Sequence, residues 1–147
     1  MTVIADIRVA PDNPRLAVAL TDARLPTEDL ADGAARFFHF ADEGRTIGFG
    51  GYALYGEDAL LRSIVVLPAE RGKGLGRIIV RRVLDHARDA GAGRAFLLTT
   101  DGEAFFTRMG FTPIARETAP PAILATRQAT MLCSSAALLM LPLVPGG

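Results

Sequence analysis

The sequence predicts one mixed α/β domain spanning residues 1–147, and three observations predict it. Between residues 36 and 67, apolar and aromatic residues run in short segments. Asp42-Glu43-Gly44-Arg45 and Tyr55-Gly56-Glu57-Asp58 break these segments, as tight turns break strands. A glycine-rich run at residues 71–76 then opens a stretch in which Leu75, Ile78, Ile79, Val83, Leu84 and Ala87 recur at helical spacing. After Gly91 the short-period segments return.

Residues 3–9 alternate apolar with other residues and read as a strand. Residues 14–23 read as a helix. Pro26-Thr27-Glu28-Asp29-Leu30 offers a second helix start, with a proline, a capping hydroxyl and early acids. Residues 36–41 and 46–55 read as two strands. Three glycines in the second mark a bulge or a close backbone approach. Residues 60–67 are nearly all apolar, as a central strand buried on both faces should be, with Arg62 and Ser63 as exceptions. A strand at 95–99 follows the long helix. Asp101 is placed to cap a short helix at 102–109, and Phe111 begins another strand. A proline-rich turn, a short helix near 123–129 and a final apolar strand at 136–144 complete the chain.

With 147 residues the chain can bury a core without metals or disulfides. Lys plus Arg and Asp plus Glu both number 16, so bulk electrostatic binding to nucleic acid is not expected. One cysteine, Cys133, excludes a disulfide framework, and His39 and His86 lack metal-ligand spacing. The start of the sequence has no basic region followed by a long apolar stretch. The apolar end is about half as long as a spanning helix. These features predict a cytoplasmic protein with no membrane or metal partner. The C-terminal strand offers a surface for a homodimer.

The run Arg71-Gly72-Lys73-Gly74-Leu75-Gly76 carries the chemistry. A pyrophosphate needs several converging backbone N–H donors. A glycine turn feeding a helix N-terminus supplies them, with favourable dipole potential. Gly72, Gly74 and Gly76 permit close backbone approach, while Arg71, Lys73 and Arg77 add positive charge. The spacing is G-x-G-x-G, not the dinucleotide G-x-G-x-x-G, and the Walker Gly-Lys-Ser/Thr is absent. The plainer reading is a strand-to-helix turn with solubilising basic residues.

The whole run from Leu60 to Phe111, including Val66-Leu67-Pro68 and Phe105-Phe106-x-x-x-Gly110-Phe111, resembles the GNAT superfamily of acetyl-CoA-dependent N-acyltransferases. Arg71, Gly74 and Gly76 match its Arg/Gln-x-x-Gly-x-Gly/Ala signature. The resemblance implies a mixed, mostly antiparallel sheet with a splayed central strand pair, flanked by helices. Three further segments are similar to the branch identified as arsenic-resistance N-acetyltransferases, itself similar to short N-acetylglutamate synthases. They are Leu25-Pro26-Thr27-x-Asp29-Leu30, Ala59-Leu60-Leu61-Arg62-Ser63 and Ile123-x-x-Thr126-x-Gln128-x-x-x-Leu132-Cys133. That similarity implies a glutamate-like, phosphinic or arsenical amino-acid acceptor.

The resemblance also implies a mechanism. Acetyl-CoA pairs with free backbone near Ile64, Val65 and Val66, and a backbone N–H there, assigned to Val65, stabilises the oxyanion. Leu75 belongs to the cofactor loop, and Phe105 and Phe106 to the cofactor wall. The acceptor amine attacks directly. An α-amino group titrates near about 7.7–8.0, so a weak base suffices. The family's tyrosine acid is replaced by Phe106, and a glutamate of the arsenic branch by Ala53. Tyr52, Tyr55, His39 and Glu43 are the remaining polar candidates.

Arg62 is expected to clamp an acceptor carboxylate, with Ser63, Thr99, Thr100 and His39 as further substrate contacts. The structural alternative for Arg62 is an internal salt bridge to Asp58 or Glu103. His39 also suits a packed or surface position, and His86 and the Arg81-Arg82 pair suit solvent. Cys133 suits a small core hydrophobe. Three functions follow: acetylation of a small amino-acid-like amine, acetylation of a protein or peptide, and a CoA-binding sensor without catalysis.

Overall fold

The computed structural model describes residues 4–31, 33, 35–126, 129 and 136–143. Its strands are β1 (Ile4–Val9), β2 (Ala35–Asp42), β3 (Arg45–Tyr55), β4 (Asp58–Val66), β5 (Arg94–Thr99), β6 (Thr112–Ile114) and β7 (Ala137–Pro142). Its helices are α1 (Pro14–Asp22), α2 (Leu75–Asp89), α3 (Glu103–Arg108) and α4 (Pro121–Leu124). The strands form one mixed sheet in the order β1-β2-β3-β4-β5-β7-β6. Among the described strands only β4 and β5 pair in parallel, which makes the sheet mostly antiparallel.

Helix α2 lays Ile79, Val80, Val83 and Ala87 against one face of the sheet, all fully buried. Glycines in β3 let it come close. A Cβ on Gly50 would stand 2.8 Å from a Val83 methyl, and one on Gly48 2.7 Å from the end of Ile79 and against the Val65 carbonyl oxygen of β4. Helix α1 is capped by the Asn13 side chain, which accepts from the N–H groups of Arg15 and Leu16. It covers the opposite face through Leu16 and Leu20, packed with Phe37, Phe49 and Val65. A third cluster joins Leu60, Phe96 and Leu138 to Ile123 of α4.

The β3 glycines answer to both readings, close approach and a bulge. Phe49 opposes Val65 and Gly51 opposes Arg62, so two steps along β3 match three along β4. The extra residue falls at Ser63–Ile64, and Ser63 has φ 58, the left-handed region. On its other side β4 pairs with β5 only at Asp58, Ala59 and Leu60, opposite Arg94, Ala95 and Phe96. Beyond Leu60 the two central strands have no paired residues, and a cleft opens between them.

Several elements differ from expectation. The run from Pro26 to Leu30 is a turn rather than a helix, because the Asp29 carboxylate is taken up by Arg62 instead of capping N–H groups. Asp101 does not cap α3; the Gly102 N–H bonds the Thr99 hydroxyl at 2.8 Å. The proline-rich turn leads into α4 two residues earlier than expected. Gln128, Leu132 and Cys133, together with Val3 and Val144 at the strand ends, lie outside the described residues. The C-terminal strand β7 is not an edge. It lies between β5 and β6; β6 pairs only with Leu138, Leu139 and Met140, so the rest of that side of β7 carries no strand partner among the described residues. No helix among the described residues is long and apolar enough to cross a membrane.

Candidate active site

The cleft has a volume of about 430 Å³ and is walled by residues 61–66 of β4 on one side and 97–102 on the other. Arg71, Gly76, Phe105 and Phe106 line one part of it, and residues 23–26, the loop after α1, line another. Thus Arg62, Ser63, Ile64, Val65, Val66, Arg71, Gly76, Thr99, Thr100, Phe105 and Phe106 come together as the sequence predicts. The parting of two strands leaves backbone groups without a ladder partner, a ready site for an extended ligand.

The glycine loop sits at the N-terminus of α2. Gly72 and Gly74 have φ 82 and 73, which only glycine adopts readily. Gly74 is the cap residue, no side chain caps the helix, and its first turn holds no acid. The first-turn N–H groups of Leu75, Gly76 and Arg77 are therefore unmatched within the helix, as an anion site requires. A Cβ on Gly76 would lie 3.3 Å from the Phe105 ring, so glycine there lets α3 close against the loop.

The positive charges in the loop are not equivalent. Arg71 donates to the Val66 carbonyl at 3.3 Å and lines the cleft. Lys73 is tied at 3.1 Å to the buried Glu70, which also takes Arg45 at 3.0 Å. The Lys73 hydrogen bond holds the Glu70 carboxyl below its usual range, with Arg45 adding to the effect and burial opposing it. The Glu70 carboxylate thus anchors the loop's lysine to the β2–β3 turn. Gly72, Lys73, Gly74, Leu75 and Arg77 do not line the cleft itself.

Arg62 has an internal partner, but neither of those expected. Its guanidinium meets Asp29 in a fork at 2.6 and 2.8 Å, and its Nε donates to the Ser63 hydroxyl at 3.0 Å. Asp58 pairs instead with Arg94. Arg62 also lies 5.2 Å from the centre of the Phe37 ring. Arg62 still lines the cleft, with its charge already balanced by Asp29.

Four polar candidates stand apart from the cleft. Tyr52 is buried and stacked on Phe38 under α2. Tyr55 packs on the cluster around Leu60 and Ile123. Glu43 is exposed in the β2–β3 turn. His39 contacts the Thr46 hydroxyl at 2.9 Å; that hydroxyl also takes Arg15 at 3.0 Å. Burial, then the Arg15 charge, lowers the His39 pKa. Ala53 is buried in β3 opposite Leu60. His86, expected in solvent, is half-buried, bonded to Asp6 at 2.8 Å and stacked on Phe38.

Two residues emerge that the sequence reading had not assigned to the site. By sequence Asp29 suits an early helix acid; the signal for its other role is a lone Arg in an apolar strand, which requires a buried acid somewhere. Arg24 lines the cleft with φ 60, and its guanidinium bonds no described residue. Among the described residues no group of three or more His, Cys, Asp or Glu is placed to hold a metal ion.

Comparison with known proteins gives a concordant picture. The chain is 33% identical over 113 residues to streptothricin acetyltransferase of Streptomyces lavendulae, covering 70% of this chain and 60% of that protein. It is 42% identical over 72 residues to an amino-acid acetyltransferase of Mycobacterium tuberculosis, covering 48% and 41%. The chain thus spans about half the length of these curated relatives. N-acetylglutamate synthase from Neisseria gonorrhoeae, solved with coenzyme A and N-acetyl-glutamate, superposes with TM-score 0.81 at 16% identity, over 99% of this chain and 36% of that one. A Mycobacterium tuberculosis protein solved in complex with CoA superposes at 0.75 with 23% identity, over 97% of this chain and 99% of that one. The profile of the Acetyltransferase (GNAT) family matches residues 4–111, and the chain belongs to that family.

Proposed function

We propose that residues 1–147 form a single domain that transfers an acetyl group from acetyl-CoA to the amine of a small amino-acid-like acceptor. The observation that carries this reading is the parting of β4 from β5 beyond Leu60 and Phe96, beside the uncapped N-terminus of α2. The phosphates would meet the N–H groups that open α2, with Arg71 alongside. The pantetheine arm would follow residues 64–66. The carbonyl would then lie near the bulge, with the Val65 N–H as the assigned oxyanion donor and the amine arriving from the side of residues 23–26.

The acceptor's amino-acid character is supported by two similarities. One is to a relative named as an amino-acid acetyltransferase; the other is to a synthase solved with N-acetyl-glutamate. The unmatched guanidinium of Arg24 suits a carboxylate. Within this class we place glutamate-like amino acids and their phosphinic or arsenical analogues. With the acceptor held in line, most of the acceleration comes from positioning. The α-amine needs only a weak base, reached through water.

A second reading, a CoA-binding sensor, is favoured by one observation. Tyr52, Tyr55 and His39 all lie outside the cleft, and Phe106 stands within it. One experiment separates the readings. Purified protein is given acetyl-CoA and a panel of amines, and released thiol is followed. Turnover with glutamate-like amino acids and not with peptides is the expected result. Turnover with peptides alone moves the acceptor to proteins. Tight CoA binding with no turnover for any amine leaves the sensor.

A further inference from the structure

Among the described residues, ten have positive φ, and seven of them are glycines. The other three are Arg24, Glu43 and Ser63. Arg24 and Glu43 lie in turns, where the left-handed conformation is common. Ser63 differs: it is buried, inside a central strand, and on the wall of the cleft. Glycine would adopt φ 58 there without the Cβ penalty, and this chain uses glycine freely for that purpose. A strained residue with a side chain at such a point indicates that the side chain is needed.

The surroundings indicate what the side chain does. The Ser63 oxygen accepts a hydrogen bond from the Arg62 Nε at 3.0 Å, and Arg62 is locked in turn by the fork to Asp29. The oxygen's position is therefore fixed by a buried ion pair. Its own proton bonds no described residue, so the O–H is left to be donated. A guanidinium donating to that oxygen draws charge from it and strengthens the O–H as a donor.

We propose that Ser63 is a catalytic hydrogen-bond donor to the reacting thioester, and that Arg62 and Asp29 are its positioning residues. This rests on the transferase reading above. As the amine attacks, the C–N bond forms and negative charge develops on the carbonyl oxygen. As the C–S bond breaks, the electron pair passes to sulfur. The amine's proton leaves through water, and the thiolate takes a proton from solvent. Ser63 keeps its own proton throughout and donates a hydrogen bond to the charge as it develops.

The test uses Ser63→Gly, which keeps the left-handed backbone without strain and removes the whole side chain, with Ser63→Ala removing the hydroxyl alone. Thiol release from acetyl-CoA is measured with the amine panel and with water alone as acceptor, alongside the CoA dissociation constant. The expected result is a fall in kcat of at least tenfold, with CoA affinity within threefold of wild type. Ser63→Ala should behave alike. Arg62→Lys should lower kcat alone and add nothing when combined with Ser63→Gly. A glycine variant that keeps wild-type kcat overturns the proposal, as does one that changes only the acceptor KM. Fully additive losses overturn the positioning role of Arg62. A wild-type protein that binds acetyl-CoA and never releases thiol overturns the transferase reading, and the role of Ser63 with it.

Discussion

Asp29 and Arg62 lie 33 residues apart in sequence and meet in a two-pronged ion pair, each almost wholly removed from water. The pair joins the segment after α1 to the bulged strand β4, so it fixes the position of one wall of the cleft. A buried pair of this kind adds little over apolar packing, but breaking it leaves a bare charge in the interior. Asp29→Ala is therefore expected to lower unfolding free energy by about 3–5 kcal/mol, read by urea denaturation. A loss below about 1 kcal/mol would show that water reaches the guanidinium.

The basic residues of the glycine loop should separate in a binding experiment. Arg71 faces the cleft, whereas Lys73 is engaged by Glu70. Arg71→Ala is expected to weaken CoA binding by about tenfold, which corresponds to about 1.4 kcal/mol. Lys73→Ala should weaken it by less than about threefold, because its charge is already taken up by Glu70 and it does not line the cleft. Titration calorimetry at fixed ionic strength measures both. Equal losses would mean that Lys73 leaves Glu70 when the cofactor binds.

His39 should make the fold sensitive to acid. Burial and the nearby Arg15 lower its pKa in the folded chain, so the unfolded chain binds the proton more readily. Stability is then complete above the ordinary histidine pKa of about 6.5. It falls as pH drops from there through the folded value. His39→Gln keeps a polar partner for Thr46 and removes the titration. Thermal melts at several pH values from neutral to mildly acidic should show a smaller acid loss for the variant. Parallel curves would place the sensitivity elsewhere.

The parts of this molecule that were legible in the sequence are those fixed by local pattern. Alternation set the strands, the 3.6-residue period set α2, and the spacing of Gly72, Gly74 and Gly76 marked the turn that opens α2 beside the cleft. Long-range pairing was not legible. Nothing local to Asp29 distinguishes a capping acid from a partner for Arg62, because the deciding contact comes from a strand far along the chain. The same holds for β7, whose apolar run suits an edge or an interior strand equally until β6 is seen to lie beside it. The bulge was half legible: the β3 glycines signalled close approach, but its strained residue, Ser63, sits on the neighbouring strand. Tyr52, Tyr55 and His39 have suitable chemistry, but β2 and β3 lie on the side of β4 away from β5, and none of the three lines the cleft.

Arg24 carries the prediction that bears most directly on the acceptor. It follows α1, lines the cleft, and its guanidinium meets no described residue. Arg62 borders the same cleft, but Asp29 already balances its charge. A carboxylate entering from the side of residues 23–26 would therefore find its free counter-charge at Arg24, in a forked geometry that lysine does not reproduce. Arg24→Ala is expected to raise KM for carboxylate-bearing amines by about tenfold, as loss of a charge-assisted hydrogen bond would. It should leave the KM for acetyl-CoA within about twofold. Arg24→Lys should recover only part of the loss. An uncharged amine of similar size should be indifferent to the substitution, which separates recognition of the carboxylate from a change in loop shape. If charged and uncharged acceptors lose equally, Arg24 acts by holding its loop in the left-handed turn, and Arg24→Gly, which relaxes φ 60, should then restore both.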